Sequence, residues 1–297
     1  MIRLFLDVSK VNKKYGTHHV LKDVSFSIEK PEIIALVGPN GSGKTTLLKI
    51  ITNLLQASNG TVTIMDKSNK DISIFKEVSF MQDNTVLYDY LTGYDHLHFI
   101  RDIQHLSNEQ VEHTIGLLEI RHYMNKKVKN YSLGMKQHLL IAMAIVNQPK
   151  LLILDEPLNG LDPTSVIKIR NILQKINENG SAILLSSHNL LEIDKLTNKI
   201  LFLKKGEMIQ EDISNYLMDS YSISVNETDQ LEQLFLQYKI SFKRVDDSIQ
   251  VFCKEQNLHR ILELIIQSKT IQLHSIQKII IGAEDRYQTI FQLEDES

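Results

Sequence analysis

The run Gly38-Pro39-Asn40-Gly41-Ser42-Gly43-Lys44-Thr45-Thr46 constrains this chain more than any other stretch. It follows the aliphatic segment Ile33-Ile34-Ala35-Leu36-Val37 and precedes Leu47-Leu48-Lys49-Ile50-Ile51, whose apolar spacing is helical. Strand, loop and helix in that order are the setting that the pattern GxxxxGK[ST] requires. Backbone N–H groups can wrap a phosphate chain only where the main chain approaches closely and takes left-handed angles, which glycine allows. Gly38, Gly41 and Gly43 provide that freedom. The start of the following helix adds unpaired N–H groups and the positive end of its dipole, Lys44 a point charge for the outer phosphates, and Thr45 a hydroxyl for Mg²⁺. An ordinary glycine-rich turn with a chance lysine leaves the flanking strand and helix unexplained. Together with Asn40, Ser42 and Thr46, these residues form a candidate nucleotide site and imply an α/β fold.

Residues 2–11 and 20–28 read as strands around a turn at Gly16-Thr17-His18. Tyr15 precedes that turn; taken alone it reads as a surface tyrosine, although an aromatic ahead of a phosphate loop can stack on a base. Short strands follow at residues 60–64 and 77–81, the second ending at Gln82. From about 87 to 148 the pattern is helical, in segments Asp89–Leu106, Asn108–Leu118 and Leu133–Asn147. The apolar strand Lys150–Leu154 ends in Asp155-Glu156, and a loop through Asn159-Gly160-Leu161-Asp162 leads to a helix over 164–178. A further strand, Ala182–Ser186, ends at Ser187-His188, and the strand Lys199–Lys204 ends at a turn, Lys205-Gly206-Glu207. Strands alternating with helices imply a mainly parallel sheet, on which ligands gather at the carboxyl ends of the strands. Gly38, Gln82, Asp155 and His188 each lie just beyond such an end.

From Tyr221 the order changes to βαββαβ, a ferredoxin-like arrangement of strands and helices with a turn at Asp246-Asp247, followed by a helical tail over 283–291 and an acidic end, Glu294-Asp295-Glu296, read as solvated. The expected division is a first domain over 1–212, with a helical subdomain at about 87–148, and a small α+β domain over 218–297. A length of 297 residues suits two such domains. A formal net charge of −3 gives no basic footprint for nucleic acid, so none is expected. The single cysteine, Cys253, cannot close an internal disulfide and reads as an apolar strand residue in a reducing cytosol. Asp7, Lys10 and Lys13 interrupt the start, which does not read as a signal peptide, and the longest apolar run, Leu139–Val146, falls far short of the about 20 residues that cross a bilayer. If a membrane is involved, another chain is expected to span it.

Two carboxylates ending an apolar strand need a reason. Asp155 suits an oxygen ligand to Mg²⁺, and Glu156 suits a group that orients and deprotonates an attacking water. Two exposed loop charges are the alternative, and the phosphate loop favours the functional reading. A lone histidine is more often structural, but His188 ends the strand after the carboxylate strand. Gln82 alone carries no information.

Taken as an ordered set, these motifs make residues 1 to about 210 resemble an ATP-binding cassette (ABC) transporter ATPase. Tyr15 matches the family's adenine-stacking aromatic, Gly38–Thr45 its Walker A loop, Gln82 its Q-loop, Asp155-Glu156 its Walker B aspartate and catalytic glutamate, Asn159–Asp162 its D-loop and His188 its switch histidine. Tyr131-Ser132-Leu133-Gly134-Met135-Lys136-Gln137 resembles the family signature, with Leu133 in place of the first glycine and Met135 in place of the glutamine. Ser132 and Gly134 remain, and a hydroxyl at a helix start can still meet a γ-phosphate.

The resemblance implies ATP and Mg²⁺ as cofactors, Glu156, His188 and Gln82 as catalytic residues, and Thr45, Gln82 and Asp155 around the metal. Ser132, Gly134 and Asp162 would complete the nucleotide site of a second chain, a copy or a sister subunit facing head to tail. A separate membrane permease would be the other partner, which puts the chain in the cytoplasm on the inner face of the membrane. The signature form and the small second domain are similar to bacterial exporters of the bacitracin, lantibiotic and peptide kind. A soluble ABC ATPase acting on ribosomes or DNA, and the ATPase of an importer, are the rival readings.

Overall fold

The computed structural model describes residues 4–216, 220–246, 248–252, 255–268, 270–279 and 282–291. Asp247, Cys253 and Glu294-Asp295-Glu296 lie outside the described residues. The chain divides into two compact units, Met1–Glu211 and Asp212–Ser297.

In the first unit, β1 (Leu6–Tyr15) and β2 (His18–Ile28) form an antiparallel hairpin whose turn carries Gly16 at φ +57°. β3 (Ile33–Val37), buried throughout, leads into α1 (Lys44–Ile51). β4 (Asn59–Ile64) and β5 (Lys67–Ser68) extend the hairpin into a sheet of order β2-β1-β4-β5, and β6 (Val78–Met81) returns to the sheet of β3. The helical insertion follows as α2 (Gly93–Gln104), α3 (Asn108–Leu118) and α4 (Leu133–Ile145). Capping boxes start the first two, Thr92 with Asp95 and Ser107 with Gln110. α4 buries Leu139, Leu140, Ile141, Ala142, Ala144 and Ile145, a nearly all-round apolar surface that needs cover on every side. The unit closes with β7 (Leu151–Leu154), α5 (Pro163–Glu178), β8 (Ala182–Ser186), α6 (Leu190–Asp194), β9 (Lys199–Lys204) and β10 (Glu207–Asp212).

The second sheet has the order β10-β9-β3-β8-β7-β6, with β9, β3, β8, β7 and β6 parallel. Side chains alternate across it, as the two-residue period of a strand dictates. Leu151, Ile153 and Leu184 join one apolar cluster with α1 and the hairpin sheet; Leu152, Leu154, Ile183 and Leu185 join another with α4 and α5. The sheet is mainly parallel, as expected, but the amino-terminal strands form their own antiparallel layer. α2 starts at Gly93 rather than Asp89, because Thr92 caps it and the carbonyls of Asp89 and Leu91 accept from Lys129 and Val128 instead. β10 is an unexpected strand: Lys205 and Gly206 both have positive φ, the geometry of a two-residue hairpin turn.

The second unit runs β11 (Ser220–Val225), α7 (Thr228–Gln237), β12 (Phe242–Val245), β13 (Ser248–Phe252), α8 (Glu255–Gln267), β14 (Leu273–Ile279) and α9 (Ala283–Phe291). Its antiparallel sheet has the order β12-β13-β11-β14, the split βαββαβ arrangement. Tyr221, Ile223 and Val225 pack with Leu231, Phe235, Ile261 and Ile265. Among the described residues, no helix is long and apolar enough to cross a membrane.

Candidate functional site

Because β3, β8, β7 and β6 are parallel neighbours, their carboxyl ends form one edge, and the chain leaves them through Gly38, Ser187-His188, Asp155 and Gln82. The glycines of the loop after β3 are there for different reasons. A Cβ on Gly38 would stand 2.7 Å from the carbonyl oxygen of Leu203 in β9, so that position has no room for a side chain. Gly43 is the N-cap of α1 at φ 106°, and a Cβ there would lie 2.9 Å from Val20 Cγ1. Val20 belongs to β2, so the hairpin whose turn follows Tyr15 lies against this loop. Tyr15 itself is exposed, with the ammonium of Lys13 4.9 Å from its ring centre.

Lys44 is only 7% exposed, and its ammonium donates to the carbonyls of Gly38 at 2.7 Å and Pro39 at 3.3 Å. Burial holds its pKa below the ordinary lysine value, against the opposing pull of Glu156 and Asp155. Thr45 Oγ1 donates to Asp155 Oδ2 at 2.7 Å, and Ser186 Oγ donates to Asp155 Oδ1 at 2.5 Å. The same Ser186 hydroxyl accepts from the N–H of Glu156 at 2.9 Å. Glu156 has φ 51°, in the left-handed region, and its Oε2 lies 3.0 Å from Nδ1 of His188. Lys44, Thr45, Asp155, Glu156 and His188 therefore meet, while Gln82 follows β6, half-buried, at the same edge.

A second group lies at the starts of α4 and α5. Ser132 caps α4 by accepting from Met135 N–H at 3.2 Å. Asp162 caps α5, accepting from the N–H groups of Thr164 and Ser165 and from the Ser165 hydroxyl. The Ser165 hydroxyl first, then these N–H groups, hold its carboxyl below the usual carboxylate range. Gly160, at φ 73°, packs against Leu133, since a Cβ on it would lie 2.5 Å from Leu133 Cδ2; one on Gly134 would lie 3.5 Å from the Gly160 carbonyl oxygen. Gln137 links the groups: its Nε2 donates to the carbonyls of Glu156 at 3.0 Å and Pro157 at 2.8 Å.

Ser186 and the contact role of Gln137 escape a reading of residues. Their signals are faint: a hydroxyl ending an aliphatic strand, and an amide at the start of an apolar helix.

A triphosphate suits the first group. Among the described residues, the first turn of α1 has no side-chain cap, Ser42 Oγ is buried without a partner, and the Lys44 ammonium donates to backbone carbonyls alone. A divalent cation suits the Thr45 and Asp155 oxygens, hard ligands already in contact.

A family model for ABC transporters matches residues 21–159. The chain is similar to the ABC transporter ATP-binding protein YhcH of Bacillus subtilis, with 31% identity over 296 residues, 96% of this chain and 95% of the relative. It is also similar to the bacitracin transport ATP-binding protein BcrA of Enterococcus faecalis, with 29% identity over 279 residues, 93% of this chain and 85% of the relative. Among solved structures, a dimeric ATP-binding cassette in a post-hydrolysis state with ADP and Pi matches with a TM-score of 0.64 and 26% identity, covering 70% of this chain and 98% of that one.

Proposed function

The chain belongs to the family of ABC transporter ATP-binding proteins, and from that premise we propose that it binds and hydrolyses Mg·ATP at this sheet edge to drive a bacterial exporter. The observation that carries the reading is the contact of Lys44, Thr45–Asp155 and Glu156–His188 around one phosphate loop.

The contacts support a role for each residue. Lys44 exchanges its carbonyl partners for the β- and γ-phosphate oxygens, and the N–H groups of residues 41–46 take the remaining phosphate charge. Mg²⁺, when bound at Thr45 and Asp155, with Gln82 nearby, neutralises charge building on the phosphates. Glu156 orients a water in line with the γ-phosphate and accepts its proton, and His188 holds the carboxylate from its exposed side. Tyr15 stacks on the adenine. Ser132, Gly134 and Asp162 serve the nucleotide of a second copy or of a sister subunit, so that two chains close on two ATP molecules. A membrane permease is the remaining partner, with this chain at the cytoplasmic face. Export of antimicrobial peptides, toxins or antibiotics is supported by the likeness to BcrA, which extends through the second unit, and by the form Ser132-Leu133-Gly134-Met135-Lys136-Gln137.

Glu156→Gln tests the reading. It is expected to bind Mg·ATP, lose turnover and accumulate as an ATP-dependent dimer in size-exclusion chromatography with light scattering; turnover at the wild-type rate would remove Glu156 as the base.

A further inference from the structure

We infer that Ser186 and Gln137 form a buried clamp that fixes the backbone of Glu156 in its left-handed conformation, and that both are positioning residues for hydrolysis. The inference rests on the proposed role of Glu156. Few non-glycine residues take such a conformation, and at a strand end that carries two carboxylates it needs partners that hold it. Three hydrogen bonds from two side chains do so here. Ser186 Oγ accepts from the N–H of Glu156 at 2.9 Å, and Gln137 Nε2 donates to its carbonyl at 3.0 Å and to that of Pro157 at 2.8 Å. The Asn159 N–H adds a longer contact to the same Glu156 carbonyl at 3.3 Å.

The side chain of Glu156 cannot set its own position. It is 23% exposed and bonds His188, which is 58% exposed. The clamp is the opposite: Ser186 is 0% exposed and Gln137 7%, so their hydrogen bonds do not compete with water. Ser186 uses its proton on Asp155 and its lone pair on Glu156, which ties the proposed metal ligand and the proposed base to one hydroxyl. Gln137 adds a tie from α4, so the turn is gripped from β8 on one side and from the helical insertion on the other. The carboxylate of the residue so held meets His188 Nδ1 at 3.0 Å, at the strand edge that carries Lys44.

The test uses the full chain. In Gln137→Leu and in Ser186→Ala, kcat for Mg·ATP is expected to fall about 10²-fold, as for a misplacement of about 1 Å at a reacting group. The Kd for Mg·ATP is expected to stay within about twofold, a change confined to the transition state. Ser186→Thr keeps the hydroxyl and is expected to restore most of the turnover. Gln137→Glu supplies a readout that packing alone would not move: an ionised carboxyl has no proton to donate, a protonated one does. Its turnover relative to wild type should therefore rise as pH falls. In the Glu156→Gln background, Gln137→Leu should leave the ATP-driven dimer intact. Wild-type turnover in both Gln137→Leu and Ser186→Ala, a parallel loss of ATP affinity, a flat relative pH profile for Gln137→Glu, or loss of the dimer would each overturn the clamp. If Gln137→Leu does not fold, the Ser186→Ala and Ser186→Thr pair decides. Failure of the underlying reading looks different, because Glu156→Gln would then itself turn over ATP normally.

Discussion

Replacing Lys44 by Met separates the cost of a buried charge from its use. The ammonium is 7% exposed and held by the Gly38 and Pro39 carbonyls. Lys44→Met loses two charged hydrogen bonds, worth about 1.5–3 kcal/mol each, and regains a desolvation cost of several kcal/mol, so the terms nearly cancel. The Pro39 carbonyl still accepts from Ser42 N–H at 3.1 Å, which leaves only the Gly38 carbonyl deprived of its donor. We expect the stability of the unliganded chain to change by less than about 2 kcal/mol. Binding has no such compensation. Removing the partner of a partly buried phosphate charge costs about 3–5 kcal/mol, which weakens the Kd for Mg·ATP by about 10²- to 4 × 10³-fold. Calorimetric titration with Mg·ATP and denaturant melts of the two proteins measure both quantities.

The pH dependence follows in sign. Burial lowers the folded-state pKa of Lys44, so between that value and the ordinary lysine pKa of about 10.4 the unfolded chain binds more protons. The unliganded wild type therefore gains stability as pH rises through that window, while its affinity for Mg·ATP falls; Lys44→Met shows neither contribution. Binding within about tenfold of wild type, or a loss of more than about 4 kcal/mol without nucleotide, would show that the ammonium is a structural charge and refute the reasoning.

Gly43→Ala forces a Cβ to within 2.9 Å of Val20 at φ 106°, and is expected to cost about 1–3 kcal/mol and to weaken nucleotide binding; an unchanged denaturant midpoint would contradict this. Asp155→Asn leaves one acceptor oxygen for the Thr45 and Ser186 hydroxyls, so turnover titrated with Mg²⁺ at fixed ATP should need far more cation, and an unshifted curve would remove Asp155 from the metal. Phe235→Ala empties a fully buried position of the second unit and should destabilise the chain by about 3–5 kcal/mol in denaturant melts, and a change below about 1 kcal/mol would contradict its place in that core.

That Gly38, Asp155 and His188 gather at one sheet edge was legible in the sequence because each follows a largely aliphatic strand, and a strand end is marked by local composition. Leu151–Leu154 is buried throughout, and nothing but Asp155-Glu156 ends it. The helix starts were legible where a cap announces them, as at Asp162 before Pro163. What the sequence hid depends on distant contacts. Ser186 matters because residues 31 positions away, Asp155, and 30 away, Glu156, meet its hydroxyl. Gln137 matters because of carbonyls on another element. The antiparallel layer of β1, β2, β4 and β5 was hidden for the same reason, since alternation in one strand does not say which strand will pair with it. β10 hung on Lys205 adopting a positive φ that its residue type does not announce.

The most direct test of the central claim is capture of tagged full-length Glu156→Gln chain with Mg·ATP from detergent-solubilised membranes of its native host, with the bound proteins identified and quantified. The account predicts one polytopic membrane protein in fixed stoichiometry with a pair of ATP-binding chains, lost when ATP is omitted or when Lys44→Met is added. Recovery of a soluble dimer alone, or of ribosomes or DNA, would contradict a transporter subunit and assign the same ATPase edge to a soluble machine.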